Sequence, residues 1–371
     1  MKTKRILLSV LAMALLLSVL LTGCTMPKIT FKGTGDVATT GDKELSTGEY
    51  LAYLYNEFYN VYYNQGYYQM DYYAQMYPDQ YTSVWDQSFD YGEGDAKEKL
   101  PFSEFIIRAT QDHIKRQTAL EKILKDNNLE WLEEDVKALD EEIKEFAQDA
   151  YLPLGISNEN FLTVYKAIDL NERAAFYGLY GKGGSREVKE ADQKKYFTEN
   201  YLSYKMISIP LTDSEGKALT DEAKKKEITD KLNGYLEKYN KDKNFEAVMD
   251  EYNKSNAKEG DKVEATKDED NRRDSDANDM DENLVKAIRE VEVGSAKVVE
   301  YKSGGSTPTA ALIVRLDINE PAKLFTDSYE AIVSALKYEE FDKEVDELAK
   351  QVNITFDKKV VKKCKPENFV G

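Results

Sequence analysis

Apolar side chains recur three and four positions apart through most of the first half of this chain, and that spacing restricts it to packed amphipathic helices. Leu51, Leu54, Phe58, Val61 and Tyr62 form the first stripe. It follows Ser46-Thr47-Gly48-Glu49, where Ser46 is placed to cap a helix and Glu49 to reach back to it. Phe102, Ile106, Ala109, His113, Leu120 and Ile123 form a second stripe, which stops at Asn127-Asn128. Leu132, Val136, Leu139, Ile143, Phe146 and Ala150 form a third. Beyond Pro153-Leu154-Gly155, Ser157 caps a fourth, carrying Phe161, Val164, Ile168, Ala175, Phe176 and Leu179. A last stripe runs from Tyr329 through Ile332, Val333, Leu336, Phe341, Val345 and Leu348 to Val352. No helix buries such a face alone, so this one is expected to pack on the helical first half.

The segment between changes period. Ala191 to Asn200 reads as a short helix, and Tyr204 to Leu211 alternates as a strand with Pro210 near its edge. A polar helix follows at about Thr220 to Tyr239, then a helical turn with Phe245, Val248, Met249 and Tyr252. Lys258 to Asp281 is charged and poor in apolar residues, and is expected to be a mobile loop. Leu284, Ala287, Ile288 and Val291 make a short helix; Val298-Val299 and Ala310 to Val314 are strands joined at Ser303-Gly304-Gly305. The expected fold is therefore α+β and mostly helical. An all-α domain at 46–189 is completed by a C-terminal helix at 321–357, a small α+β domain is inserted at 190–320, and 358–371 is a tail.

Lys2, Lys4 and Arg5, an apolar run from Ile6 to Leu20, and Leu21-Thr22-Gly23-Cys24 stand in the order of a secretory signal ending in a bacterial lipobox. Residues 1–23 are then a lipoprotein signal peptide. Cys24 is the lipid-attachment site, and 24–45, rich in Thr, Gly and Lys, is a flexible tether. A diacylated cysteine holds a chain on a membrane where one acyl chain does so only marginally.

Charge and rare residues exclude whole classes of function. Loss of Lys2, Lys4 and Arg5 with the signal takes the net charge from −18 to −21, which repels nucleic acid and anionic lipid. Cys364 is the one thiol left after Cys24, so no internal disulfide forms and stability comes from packing. The single histidine, His113, rules out a two-histidine metal site or dyad, and it lies on a helix face as a core residue. Gly181-Lys182-Gly183-Gly184 lacks the strand and the Gly-Lys-Ser/Thr ending of a phosphate loop. Asp274, Asp276 and Asn278 begin like a calcium loop, but Asp279 and Val285 stand where Gly and Glu are required. No metal and no cofactor is expected.

In layout from Ser46 to Val352, the chain resembles the foldase lipoproteins of Gram-positive bacteria and the periplasmic survival chaperone. In both, a helical chaperone domain accompanies a parvulin-type prolyl isomerase domain. Tyr196-Phe197 through Ile209, Phe245-x-x-Val248-Met249-x-x-Tyr252-Asn253, and Val293-Gly294-Ser295 before Val298 are similar to parvulin motifs and occur in their order. The resemblance implies a membrane-tethered, extracytoplasmic foldase whose partners are unfolded or newly exported proteins. It also exposes a departure. The first parvulin histidine falls on Ser208, the final strand reads Thr309-Ala310-Ala311-Leu312-Ile313, and the Gly-Gly-x-Leu-Gly segment is missing. The expected catalytic residues are therefore none, with the isomerase activity lost. An active isomerase with a rearranged site and a ligand-binding surface lipoprotein are the alternatives.

Twelve of the 26 tyrosines fall between Tyr50 and Tyr81, too many for one helix face to bury. Paired aromatics with polar tips suit a surface for unfolded segments. Tyr67, Tyr68, Tyr72 and Tyr73 are the client-binding candidates.

Overall fold

The computed structural model describes residues 36–40, 43–92, 97–144, 151–257, 264–267, 271–320 and 323–370. The signal, Cys24 and part of the acidic loop lie outside them. The chain divides into two compact units, one up to Glu187 and again from Glu339, the other Val188–Tyr338.

The first unit opens with a hairpin, β1 (Asp36–Thr40) and β2 (Lys43–Ser46), and continues into α1 (Thr47–Tyr59). The capping box forms as its residues require: the Glu49 amide donates to Ser46 Oγ (3.2 Å) and the Ser46 amide to Glu49 Oε2 (2.8 Å). A π-turn at Asn60–Asn64 leads to α2 (Tyr68–Met76). A second hairpin, β3 (Ser88–Tyr91) and β4 (Glu98–Pro101), precedes α3 (Phe102–Asp126), α4 (Glu133–Ile143) and α5 (Asn158–Tyr180). Tyr50, Leu54 and Phe58 of α1 are buried against Phe102 and Ile106 of α3 and Val164 of α5. On α3 the inner row is Ile106, Thr110, Ile114 and Gln117, displaced by one position from the expected Ala109–His113 row. The polar members of that row are satisfied. Thr110 Oγ1 donates to the Ile106 carbonyl (2.8 Å) and Gln117 accepts from Asn171 Nδ2 (3.1 Å). Phe146 and Ala150 of the third stripe lie outside the described residues.

The second unit contains α6 (Glu190–Asn200), β5 (Tyr201–Pro210), α7 (Glu222–Asp242), α8 (Phe245–Asn256), β6 (Arg272–Asp276), α9 (Glu282–Glu290), β7 (Ala296–Ser303), β8 (Thr307–Arg315) and the short α10 (Lys323–Asp327). Its four strands run antiparallel in the order β6-β5-β8-β7. Strand alternation divides the sheet into two apolar faces. Ile207, Ala310, Leu312 and Val314 face α7 and α8 through Leu232, Tyr235, Tyr239, Phe245 and Val248. Leu202, Tyr204, Met206, Ala311 and Ile313 face α9 through Leu284, Ala287 and Ile288. The central strand β8 is covered on both sides, which is why it reads as a continuous apolar run. Pairing of β5 with β6 stops at Lys205, so Pro210 needs no hydrogen bond on that side.

The last long helix, α11 (Tyr329–Gln351), contains the boundary between the units. Its second part packs in the first unit. Phe341 is fully buried, with its ring against Phe176 (5.4 Å) and Tyr180 (6.4 Å), and such burial contributes about 1.5–3 kcal/mol. Arg116 of α3 binds Asp342 (2.7 Å), Asp346 (2.7 Å) and Glu172 of α5 (3.0 Å). β9 (Thr355–Phe356) then pairs with β1, and α12 (Lys358–Val361) follows.

Three expectations are corrected. The end of the proposed tether contributes β1 and the start of β2, paired antiparallel, with Ala38 and Leu45 buried in the α1 core. The proposed tail is folded in as well, with Val361, Cys364 and Phe369 buried in the same core. Single apolar residues in a lysine-rich segment show no period, so this burial has no sequence pattern. Finally, 272–276 of the acidic loop is strand β6. Its Arg-Arg-Asp-Ser-Asp sequence pairs through the backbone alone, and its charges suit an edge strand.

Candidate functional site

Two surfaces carry the residues that the sequence singles out, one in each unit. In the second unit the β5–β8 register sets Ser208 opposite Ala311, and the β7–β8 register sets Val299 on the other side of Ala311. By alternation Ser208 lies on the α9 side of the sheet with Tyr204, Met206 and Ala311. Ser208, where the resemblance puts the first imidazole, is thus the cross-strand neighbour of Ala311 of the Ala310-Ala311 pair, and the two offer a half-buried hydroxyl and a fully buried methyl. A groove of about 510 Å³ opens on this face, with Tyr204, Met206, Met280, Leu284 and Tyr301 as its apolar wall and Arg273 and Asp279 in its lining. It can seat an apolar side chain. No imidazole and no thiol is in its lining.

In the first unit the tyrosine-rich segment builds a ledge. The π-turn and Gly66, whose φ of +83° suits glycine, redirect the chain from α1 into α2. Tyr68, Tyr72, Tyr73, Met76, Tyr77 and Tyr81 are 42–58% exposed. Their rings brace one another: Tyr72–Tyr73 at 5.7 Å, Tyr73–Tyr81 at 5.4 Å and Tyr77–Tyr81 at 6.3 Å. Beneath them Asp71 is buried and fully partnered. Its carboxylate accepts from Tyr62 (2.6 Å), from Ser83 Oγ (2.5 Å) and from the Val84 amide (3.0 Å). Burial, and then the bond to Asp71, pushes the Tyr62 phenol above the usual tyrosine range, so it stays a donor. The ledge is therefore pinned to the core from below.

Of the four client-binding candidates, Tyr68, Tyr72 and Tyr73 stand on this ledge. Tyr67 does not share their exposure. It is half-buried, edge-on to Phe89 (5.1 Å) and packed against Phe102 (5.7 Å). The sequence reading missed Met76, Tyr77 and Tyr81, although they continue the same aromatic run. His113 is a partnered helix residue. Its Nδ1 is 3.4 Å from Glu57, its Nε2 is 3.5 Å from Gln117, and Tyr53 stands edge-on to its ring. Asp274 of the calcium-like run is held by Arg272 (3.0 Å), and no cluster of metal-ligating side chains occurs among the described residues. Among those residues no helix is long and apolar enough to cross a membrane.

No family model matches the chain, and no curated protein matches it. Among solved structures it is similar to the foldase protein PrsA of Lactococcus lactis, at 14% identity and a TM-score of 0.37, over 89% of this chain and 99% of that one. It is similar to PrsA of Streptococcus pneumoniae at 16% identity and a TM-score of 0.35, over 74% and 97% of the two chains. A third match is the peptidylprolyl isomerase PrsA of Bacillus cereus, at 18% identity and a TM-score of 0.27, over 75% and 98%. All three of these solved structures are PrsA proteins.

Proposed function

We propose that this chain is a foldase for exported proteins, anchored outside the cytoplasmic membrane by a lipid on Cys24, and that it works by holding unfolded segments. The ledge carries this reading. A rigid row of exposed aromatic side chains offers apolar area with hydroxyl tips, which an unfolded segment can cover without displacing the protein's own core. The strongly negative chain keeps such a surface soluble. In the second unit, Ser208 and Ala311 in place of imidazoles support peptide contact without isomerase chemistry. Isomerisation needs preferential binding of the twisted amide over the planar one, and a methyl at Ala311 offers no hydrogen bond to it. The groove on the same face of the sheet, walled by Tyr204 and Met206, favours the second reading, an isomerase with a rearranged site, and turnover separates the two. The test of holding is aggregation of an unfolded client. The mature chain slows it, and the Tyr68→Ser/Tyr72→Ser/Tyr73→Ser variant slows it less while melting at the same temperature. Equal protection by both would remove the ledge from the account.

A further inference from the structure

We propose that the ledge selects extended polypeptide segments that carry Lys or Arg, seating their cations over its tyrosine rings. This rests on the reading of the ledge as a client surface. All 51 lysines and arginines of the chain lie outside residues 44–96, the segment that builds the ledge. The same segment contains nine carboxylate residues; among them Asp79, between Tyr77 and Tyr81, and Asp86, next to Trp85, are exposed. Asp79 sits in the turn closed by the Tyr81 amide on the Tyr77 carbonyl (3.1 Å).

Elsewhere the protein's own cations stand over several of its tyrosine rings. Arg173 stands over Tyr177 (4.7 Å), Lys243 over Tyr239 (5.0 Å) and Lys231 over Tyr252 (5.6 Å). Among the described residues no such contact falls on Tyr68, Tyr72, Tyr73, Tyr77 or Tyr81. Their mutual contacts are tilted or edge-on rather than stacked, which leaves ring faces for a visitor. An aromatic face attracts a cation through its quadrupole, and nearby carboxylates add to the attraction and repel acidic chains. A neutral apolar segment gains only the covered area. Two seated cations at exposed sites correspond to about a 5- to 30-fold gain in affinity over an uncharged isostere.

The test uses the mature chain and three fluorescent peptides on one extended Gly/Ser/Pro backbone, carrying lysines, norleucines or glutamates. Binding is followed by anisotropy at ~0.15 M salt, where long-range attraction is screened. The lysine peptide is expected to bind about 5- to 30-fold more tightly than the norleucine peptide, and the glutamate peptide most weakly. Tyr72→Leu/Tyr73→Leu/Tyr77→Leu/Tyr81→Leu keeps apolar area but removes the rings. It is expected to erase the lysine preference, leaving the lysine and norleucine peptides bound equally by the variant. Equal binding of the lysine and norleucine peptides by the wild type overturns the inference. So does a preference that survives in the leucine variant and disappears in Asp79→Asn/Asp86→Asn, which would assign it to the carboxylates alone. Failure of the serine variant to lose holding activity strikes the underlying reading instead, so the two failures are distinct.

Discussion

Tyr62 donates a 2.6 Å hydrogen bond to Asp71, and that buried carboxylate ties the exposed tyrosine helix to the aromatic core. Asp71→Ala would leave the Tyr62 hydroxyl, the Ser83 hydroxyl and the Val84 amide without this acceptor. Bonds to an ionised group are worth about 1.5–3 kcal/mol each, less what water restores. A loss of about 2–4 kcal/mol is expected from urea unfolding, with part recovered in Asp71→Asn. Holding activity should fall although every exposed tyrosine is retained. Unchanged stability in Asp71→Ala would show that the ledge does not depend on this anchor.

Cys364 is buried in the same core, and burial pushes its thiol up to about 12, with Lys363 opposing part of the rise. Burial similarly raises the Tyr151 phenol to about 12. The unfolded chain releases these protons first, near pH 9 for the thiol and 10 for the phenol. Their contribution to stability is therefore complete below about pH 9 and declines as pH rises towards 12. Thermal midpoints measured from pH 7 to 11 should fall over the alkaline half of that range. The native thiol should also resist a disulfide reagent at pH 8 that modifies the unfolded chain rapidly. Rapid native modification would place Cys364 at the surface.

How much of this could be read from residues alone depended on whether burial is periodic. The capping box at Ser46 and Glu49, the alternation of Lys205, Ile207 and Ile209, and the Leu232–Tyr235–Tyr239 face all appear as the spacing predicts. Strand β6 was hidden because an edge strand pairs by backbone and keeps charged side chains. Cys364 and Phe369 were hidden because a short, turn-rich segment buries single residues without rhythm. Within the ledge, Tyr67 and Tyr68 are neighbours in sequence, yet the start of a helix sends neighbours to different sides. One packs on Phe102 and the other stands exposed. The pairing of Ser208 with Ala311 required the register, which the sequence left open between Ala310 and Ala311.

Lipid attachment at Cys24 predicts a mature chain that begins at this cysteine and carries acyl mass. Cys24→Ala should remain uncleaved by the lipoprotein peptidase and release from membranes under conditions that retain the wild type. Intact-mass analysis reads both states. A wild-type protein that is mature, acyl-free and begins elsewhere would contradict the anchor.

The most direct test of holding without isomerising is the cis–trans exchange rate of a short Xaa-Pro peptide in the presence of the purified mature chain. The account predicts a relaxation that stays near the uncatalysed tens to hundreds of seconds, at protein concentrations that fully protect an aggregating client. Ser208→Ala should change neither quantity. A strong acceleration by the wild type that vanishes in Ser208→Ala would show that this face of the sheet, with Ser208 opposite Ala311, is a working isomerase centre.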